Sequence, residues 1–305
     1  MEISTRGATA VDIDAVAAFI ARLNRDAESR CLHAGEEAGE LRQALLRLSP
    51  PFASTFTLAI TRGNKDEVAL HDGRLLGVAG VDLDLAASRA WLWGPWIEHG
   101  HWSVVAPPLL DRVLWFVREL DRVDAYVDEA ATRARQLLES RGFGEPERTL
   151  VYVARAPLAA ASVAGEAGFT ITSFAAEHEA EFLALHRAIF LEEGSGQDLI
   201  AARSDDNPIL VAVEAGRVIG YLVAAVEVDP SEALIRYVGV RADARGRGVG
   251  RALLETALAW ALQTKGLPQA ALTVRETNTN ARALYEGLGF RLELSGIHLR
   301  RARSA

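Results

Sequence analysis

The chain has 305 residues, a single cysteine, Cys31, and a formal net charge of −8. That length exceeds one ordinary domain and points to two; half of the residues are hydrophobic, enough for each to bury a core. A lone cysteine excludes an internal disulfide framework, the acidic balance excludes a broad nucleic-acid surface, and neither a leader pattern nor a run of 18 apolar residues occurs. The expectation is a soluble, cytoplasmic protein with no nucleic-acid or membrane partner, in which Cys31 is a small buried apolar residue.

In chain order, residues 12–23 read as an amphipathic helix and 36–48 as another, stopped by Ser49-Pro-Pro51. Strand-like runs follow at 56–61 and 68–70, and Asp72-Gly73 turns the chain into 75–85. Next come a strand at 90–96, an apolar helix at 108–120, a strand at 123–127, a helix at 132–140, and a strand at 150–154. Residues 157–165, small and uncharged, make the best linker, so the domains are expected at 1–156 and 166–305. The second half reads as a strand at 169–174, a helix at 177–190, a loop at Gly194-Ser-Gly196, and a hairpin of 209–213 with 218–228. Asp229-Pro230 leads into a strand at 233–240; residues 251–263 form a helix and 270–274 a strand.

The two halves repeat one order. His71-Asp-Gly-Arg-Leu-Leu-Gly77 matches Glu214-Ala-Gly-Arg-Val-Ile-Gly220, 143 residues later. Leu109-Leu110 matches Leu253-Leu254, and Leu137-Leu-Glu-Ser-Arg-Gly-Phe143 matches Leu284-Tyr-Glu-Gly-Leu-Gly-Phe290. A repeat of about 145 residues means two domains, because solenoid units span only about 20–50.

The chemistry concentrates at Arg245-Gly-Arg-Gly-Val-Gly250, between the 233–240 strand and the 251–263 helix. Strand, glycine loop and helix start aim free N–H groups at an anion, and Arg245, Arg247 and Arg251 add positive charge. A phosphate or pyrophosphate is the ligand group expected. The dinucleotide fingerprint fails, because its third glycine position holds Arg251, and no P-loop occurs in the chain. The pattern [QR]-x-x-G-x-[GA] does fit Arg245, Gly248 and Gly250. Downstream lies Asn278-Thr-Asn-Ala281-Arg-Ala-Leu284-Tyr285, followed by Gly289-Phe290.

With both motifs in order, the C-terminal half resembles the GNAT superfamily of acetyl-CoA-dependent N-acetyltransferases. The resemblance implies two tandem α/β (α+β) folds, each a mixed, mostly antiparallel sheet flanked by helices. It implies that Val238 and Val240 offer backbone groups to the pantetheine arm of acetyl-CoA. Gly246, Arg247, Gly248, Val249, Gly250 and Arg251, after Arg245, would hold the pyrophosphate, and Asn278 would hydrogen-bond the cofactor. Tyr285 would protonate the leaving thiolate. The acceptor implied is a primary amine of a small molecule or peptide; a CoA-binding protein without turnover is the alternative. Glu227, Glu232 and Glu276 are candidate bases, and Glu192, Glu193 and Asp198 could face the acceptor. The first half reads as a degenerate copy. Residues 98–105, Glu-His-Gly-His-Trp-Ser-Val-Val, hold one glycine and no arginine, and Pro107-Pro108 removes two donors. Ala131 and Leu138 replace Asn278 and Tyr285. His99 and His101 lack a third ligand, so no metal is expected. Trp91, Trp93, Trp96 and Trp102 are expected to pack against something, such as the other domain, in a monomer with an internal pseudo-dimer.

Overall fold

The computed structural model describes residues 3–61, 69–70, 73–156, 168–190, 195–226 and 232–303. It divides into two units, Met1–Thr149 with Ser295–Ala305, and Leu150–Leu294. The expected linker at 157–165 and the turns at Asp72 and Asp229-Pro230 lie outside the described residues.

The first unit holds β1 (Ile3–Gly7), α1 (Ile13–Asn24), α2 (Ala38–Arg47), the single turn α3 (Phe52–Thr55), β2 (Phe56–Thr61), β3 (Ala69–Leu70), β4 (Gly73–Asp84), β5 (Arg89–Ile97), α4 (Trp102–Phe116), β6 (Arg122–Asp128) and α5 (Thr132–Glu139). β1, β2, β4 and β5 pair antiparallel in that order, and β5 pairs with β6 in parallel. Residues 75–81 of β4 are buried throughout because both sheet faces are covered. Leu109, Leu110 and Val113 of α4 cover one face, and Val16, Phe19 and Ile20 of α1 the other. The α1 residues recur at helical spacing, and their burial supplies most of the helix's stability.

The second unit repeats the order with β8 (Thr170–Ser173), α6 (Glu179–Ile189), α7 (Gly196–Ala201), β9 (Ile209–Glu214), β10 (Arg217–Val226), β11 (Glu232–Val240), α8 (Val249–Leu258), β12 (Gln269–Arg275) and α9 (Thr279–Glu286). β8, β9, β10 and β11 pair antiparallel, and β11 pairs with β12 in parallel. Leu253, Leu254 and Ala257 of α8 cover one face, and Phe182 of α6 the other. A π-helical turn, Ala259–Thr264, extends α8.

Two strands belong to both units. In β7 (Gly144–Arg155), residues 144–149 fall in the first unit and 150–155 in the second. In β13 (Arg291–Ala302), residues 291–294 fall in the second unit and 295–302 in the first. There β13 pairs antiparallel with all of β6, from Gly296 against Asp128 to Ala302 against Arg122. Leu150, Tyr152 and Ala154 sit in the core of the second unit. The division therefore differs from the contiguous boundaries 1–156 and 166–305.

Two other differences have local causes. α4 begins at Trp102, six residues before the expected start, so Pro107 and Pro108 lie inside it. They remove interior bonds to the carbonyls of Ser103 and Val104 and leave the helix start its donors. Trp93 and Trp96 pack in the core of the first unit, and the Trp96 indole donates to Asn24 Oδ1 at 2.9 Å. Trp91 lies under Arg89, and Trp102 packs on the α4-side core, so the first unit itself accounts for these rings. Cys31 is buried, which pushes its thiol pKa up.

Candidate active site

The glycine loop closes a short path from β11 to α8. After Val240 comes a 3-10 turn, Ala242–Ala244, and then Arg245. Gly246 and Gly248 have φ of 75° and 84°, a left-handed conformation that side chains oppose. Gly248 is the N-cap of α8 and offers no side-chain cap. The N–H groups of Val249, Gly250 and Arg251 head the helix, where no intrahelical acceptor exists and the dipole is positive. Arg245 Nε donates to the Val240 carbonyl at 3.2 Å. Arg247 pairs with Glu214, whose carboxyl it holds below the usual range, and Arg251 reaches Glu255 at 3.4 Å. Such surface pairs are worth little and can be exchanged for a ligand phosphate. Gly220 lets α8 approach the sheet, because a Cβ there would meet Val249 Cγ1 at 2.9 Å.

β11 and β12 pair over residues 232–234 and 269–271 and then separate. A bulge lies just beyond: Ile235 faces Ala224 and Tyr237 faces Val223, so Arg236 is the extra residue. A cavity of about 540 Å³ occupies this region. It is lined by Val238 and Val240 on β11, by residues 272–275 on β12, by Arg245 and Gly250 at the glycine loop, and by Asn278, Leu284 and Tyr285 at α9. Six of the residues singled out in the sequence thus line one cavity: Val238, Val240, Arg245, Gly250, Asn278 and Tyr285. Gly246, Arg247, Gly248 and Arg251 form the adjoining loop and helix start. The Val249 side chain is buried against the core, which leaves its backbone N–H as the group for a ligand.

Asn278 caps α9, accepting from Ala281 N at 3.2 Å through Oδ1, so a ligand contact falls to its Nδ2. Tyr285 is half-buried beside Phe290 and Tyr152, with ring centroids 5.9 and 6.4 Å away. Burial raises its pKa, which keeps the hydroxyl protonated at neutral pH. The buried Tyr152 donates to Glu286 Oε1 at 2.7 Å, and Arg282 reaches the same hydroxyl at 3.4 Å. Tyr152 thereby ties β7 to α9, and Arg236, Arg275 and Phe190 line the cavity. Sequence reasoning missed these four. Tyr152 lies outside both motifs, and alternation in a strand gives no sign that a bulge will turn Arg236 into a gap. Glu232 and Glu276 do not line the cavity; Glu232 accepts from Gln269 at 2.9 Å. Asp198 is in the first turn of α7, and Glu192, Glu193 and Glu227 lie outside the described residues.

The corresponding opening in the first unit is filled by the chain itself. β5 and β6 pair over residues 89–92 and 122–125 and then part. Into the gap come residues 30–32. Leu32 N donates to the Tyr126 carbonyl at 2.9 Å, Asp128 N donates to the Arg30 carbonyl at 3.0 Å, and Cys31 bridges Val127. β13 holds the other edge of β6 over the same residues, so this segment lies on the edge that β5 leaves. Asn24, fully buried, anchors the segment: Oδ1 accepts from Cys31 N at 2.7 Å, and Nδ2 donates to the carbonyls of Cys31, Ala34 and Gly35. Arg30 pairs with Asp128 at 2.9 Å. Ala131 caps α5 without a side-chain bond, and Leu138, buried, is its seventh residue as Tyr285 is of α9.

Among the described residues, no group of three or more His, Cys, Asp or Glu could hold a metal ion, and no helix is long and apolar enough to cross a membrane.

The sequence profile of the Acetyltransferase (GNAT) family matches residues 171–290. A mycothiol acetyltransferase of Thermomonospora curvata is 30% identical over 261 residues, which is 79% of this chain and 84% of that one. The chain belongs to the GNAT acetyltransferase family. Two shorter alignments, to mycothiol acetyltransferases of Salinispora tropica and Clavibacter sepedonicus, span only 40% and 55% of those relatives. Among solved structures, a GCN5-related N-acetyltransferase from Sphaerobacter thermophilus superposes with a TM-score of 0.77 over 99% of this chain and 96% of that one, at 20% identity. A tandem GNAT protein from the clavulanic acid biosynthesis pathway gives 0.67 over 100% and 99%, at 15% identity. At these identities the likeness shows the fold, and it is that of a two-domain GNAT chain. Both expectations of family and fold class hold.

Proposed function

We propose that the second unit transfers an acetyl group from acetyl-CoA to a primary amine of a small molecule or peptide. One observation carries this reading: the glycine loop, the separated strands and Tyr285 converge on one cavity. The N–H groups at the start of α8 and Arg245 hold the pyrophosphate, and the pantetheine arm runs between β11 and β12 along Val238 and Val240. Asn278 Nδ2 donates to the arm. The amine lone pair attacks the thioester carbonyl, the tetrahedral intermediate expels the thiolate as the C–S bond breaks, the Tyr285 hydroxyl gives that thiolate its proton, and the proton shed by the new amide nitrogen passes through solvent to restore the hydroxyl. General-acid help of this kind is worth roughly 10²–10⁴-fold.

The first unit is degenerate in this reading and binds no acetyl-CoA, because residues 30–32 occupy its strand gap and Ala131 and Leu138 stand at the motif positions. Titration calorimetry on the whole chain should give one acetyl-CoA site. Thiol release in the presence of an amine panel tests the transfer, and the relatives' name puts mycothiol-related amines on that panel. Tyr285→Phe should lower kcat by roughly 10²-fold and leave the acetyl-CoA Kd within a few-fold. Acetyl-CoA binding with no thiol release for any amine would make the chain a CoA-binding protein instead.

A further inference from the structure

Tyr285 has to bring one hydroxyl to one sulfur, and its own contacts do not fix it there. Among the described residues that hydroxyl has no hydrogen-bond partner, and the ring is only half-buried. The helix that carries it is short: α9 spans eight residues and fully buries none of them. Apolar burial is what normally fixes so short a helix. Asn278 caps its start. The rest is held from β7. Tyr152 is 1% exposed, yet its hydroxyl reaches out of the core to α9. It donates to Glu286 Oε1 at 2.7 Å and accepts from Arg282 Nε at 3.4 Å. Arg282 also donates to the Glu276 carbonyl at 3.2 Å, in the turn from β12 into α9. Residues 282, 285 and 286 are spaced i, i+3, i+4 and so share one face of the helix. Tyr152 grips that face on both sides of Tyr285, and the two rings lie side by side, centroids 6.4 Å apart and planes at 53°.

We infer that Tyr152 is a positioning residue for acetyl transfer: through Glu286 and Arg282 it sets the rotation of α9, and with it the place of the Tyr285 hydroxyl. This rests on the acetyl-transfer reading, in which Tyr285 is the acid. A phenylalanine would fill the same core volume, so packing does not ask for the Tyr152 hydroxyl. Stability asks for it little, because Glu286 is exposed and its bond competes with water. What the hydroxyl adds is a fixed angle of α9 about its own axis. Proton donation needs the acid within hydrogen-bond reach of the sulfur. A small turn of a helix moves the tip of a tyrosine further than its backbone, and about 1 Å of misplacement can cost roughly 10²-fold in rate.

The test uses the full chain. The kinetic probes are acetyl-CoA with ethanolamine, glucosamine or glycinamide as the amine, read as thiol release. Tyr152→Phe should lower kcat roughly tenfold and leave the acetyl-CoA Kd within about threefold. In a chain that already carries Tyr285→Phe, it should lower kcat by less than about twofold, because no acid is left to place. A merely structural loss would multiply equally in both backgrounds. Glu286→Ala should lower kcat as Tyr152→Phe does, and Glu286→Gln, which keeps an acceptor oxygen, should restore most of it. Fluorine NMR of the fluorotyrosine-labelled chain bound to CoA needs no amine. The resonance that Tyr285→Phe removes should be single in the parent and broadened or split in Tyr152→Phe. A parental kcat in Tyr152→Phe, an equal loss in both backgrounds, or an unaltered Tyr285 resonance overturns the inference and leaves acetyl transfer standing. If Tyr285→Phe itself costs no kcat, the acid reading falls and the inference falls with it.

Discussion

Asn24→Ala should unfasten the segment that fills the first unit's strand gap. The buried Asn24 amide makes five hydrogen bonds. It accepts from Cys31 N at 2.7 Å and from the Trp96 indole at 2.9 Å, and it donates to three carbonyls at 2.8 to 3.2 Å. Alanine leaves two donors and three acceptors behind. A buried polar group without a partner costs about 1–3 kcal/mol, but some of these groups will relax or take up water. A net loss of about 3–5 kcal/mol is the working figure, at the upper end for single substitutions. For a unit of this size that lowers the melting temperature by roughly 2–4 °C per kcal/mol, on the order of 10 °C in all. Scanning calorimetry of the full chain reads this directly. Amide exchange at Leu32 and Asp128, whose N–H groups hold the segment or are held by it, should speed up more than exchange in the second unit. Asn24→Asp should be no milder, since it points a carboxylate at three carbonyls. A melting temperature within about 2 °C of the parent, with unchanged exchange, would refute the claim that this one amide anchors the segment.

Gly239→Ala would place a methyl 2.5 Å from the ring of the fully buried Tyr221, so β11 or the ring must move. Overpacking of this kind costs about 1–3 kcal/mol, and acetyl-CoA affinity should fall with it, since Val238 and Val240 flank the change; urea unfolding and calorimetry check both. Asp12→Asn tests a linkage. Arg6 hydrogen-bonds the Asp12 carboxylate at 2.7 and 2.9 Å, and it holds the Asp12 pKa below the ordinary 3.8. The stabilisation is therefore present above that value and is lost as pH falls through the lowered one. The variant should be less stable by about 1–3 kcal/mol near pH 7, and the gap in unfolding midpoints should narrow only as pH falls below that ordinary value. Cutting the chain after residue 155 removes Leu150, Tyr152 and Ala154 from the second unit's core, so residues 156–305 alone should aggregate in light scattering. A soluble, active fragment would show that those three side chains are dispensable.

Elements whose pattern reflects one buried face were legible from the residues. β2 was expected at 56–61 and lies there, and α1 and α5 match their expected spans to within about a residue at each end. The motif residues were legible because glycine at positive φ and an Asn helix cap are local demands, and Gly246, Gly248 and Asn278 meet them. Three things were hidden. The start of α4 was masked by prolines, which read as punctuation although α4 carries them in its interior. The filled gap in the first unit depends on contacts of residues 30–32 with β6, about 95 residues away. β13 was missed because Arg291-Leu-Glu-Leu-Ser-Gly296 and His298-Leu-Arg-Arg301 look like a polar tail, whereas Ile297 and Leu299 are core residues of the other half.

That placement of β13 sets an order on how the protein can be made. The first unit's β6 needs β13 along one edge over seven residues, from Arg122 to Asp128. On the ribosome, β13 is synthesised roughly 170 residues after β6, a delay of about 10–30 s at ordinary elongation rates. Throughout that time a newly made strand has a bare edge, the kind of surface that recruits strands from neighbouring chains. Residues added directly after β13, such as a fusion partner, would load the half of the protein encoded first. Damage from such a fusion should appear as misfolding of the N-terminal half.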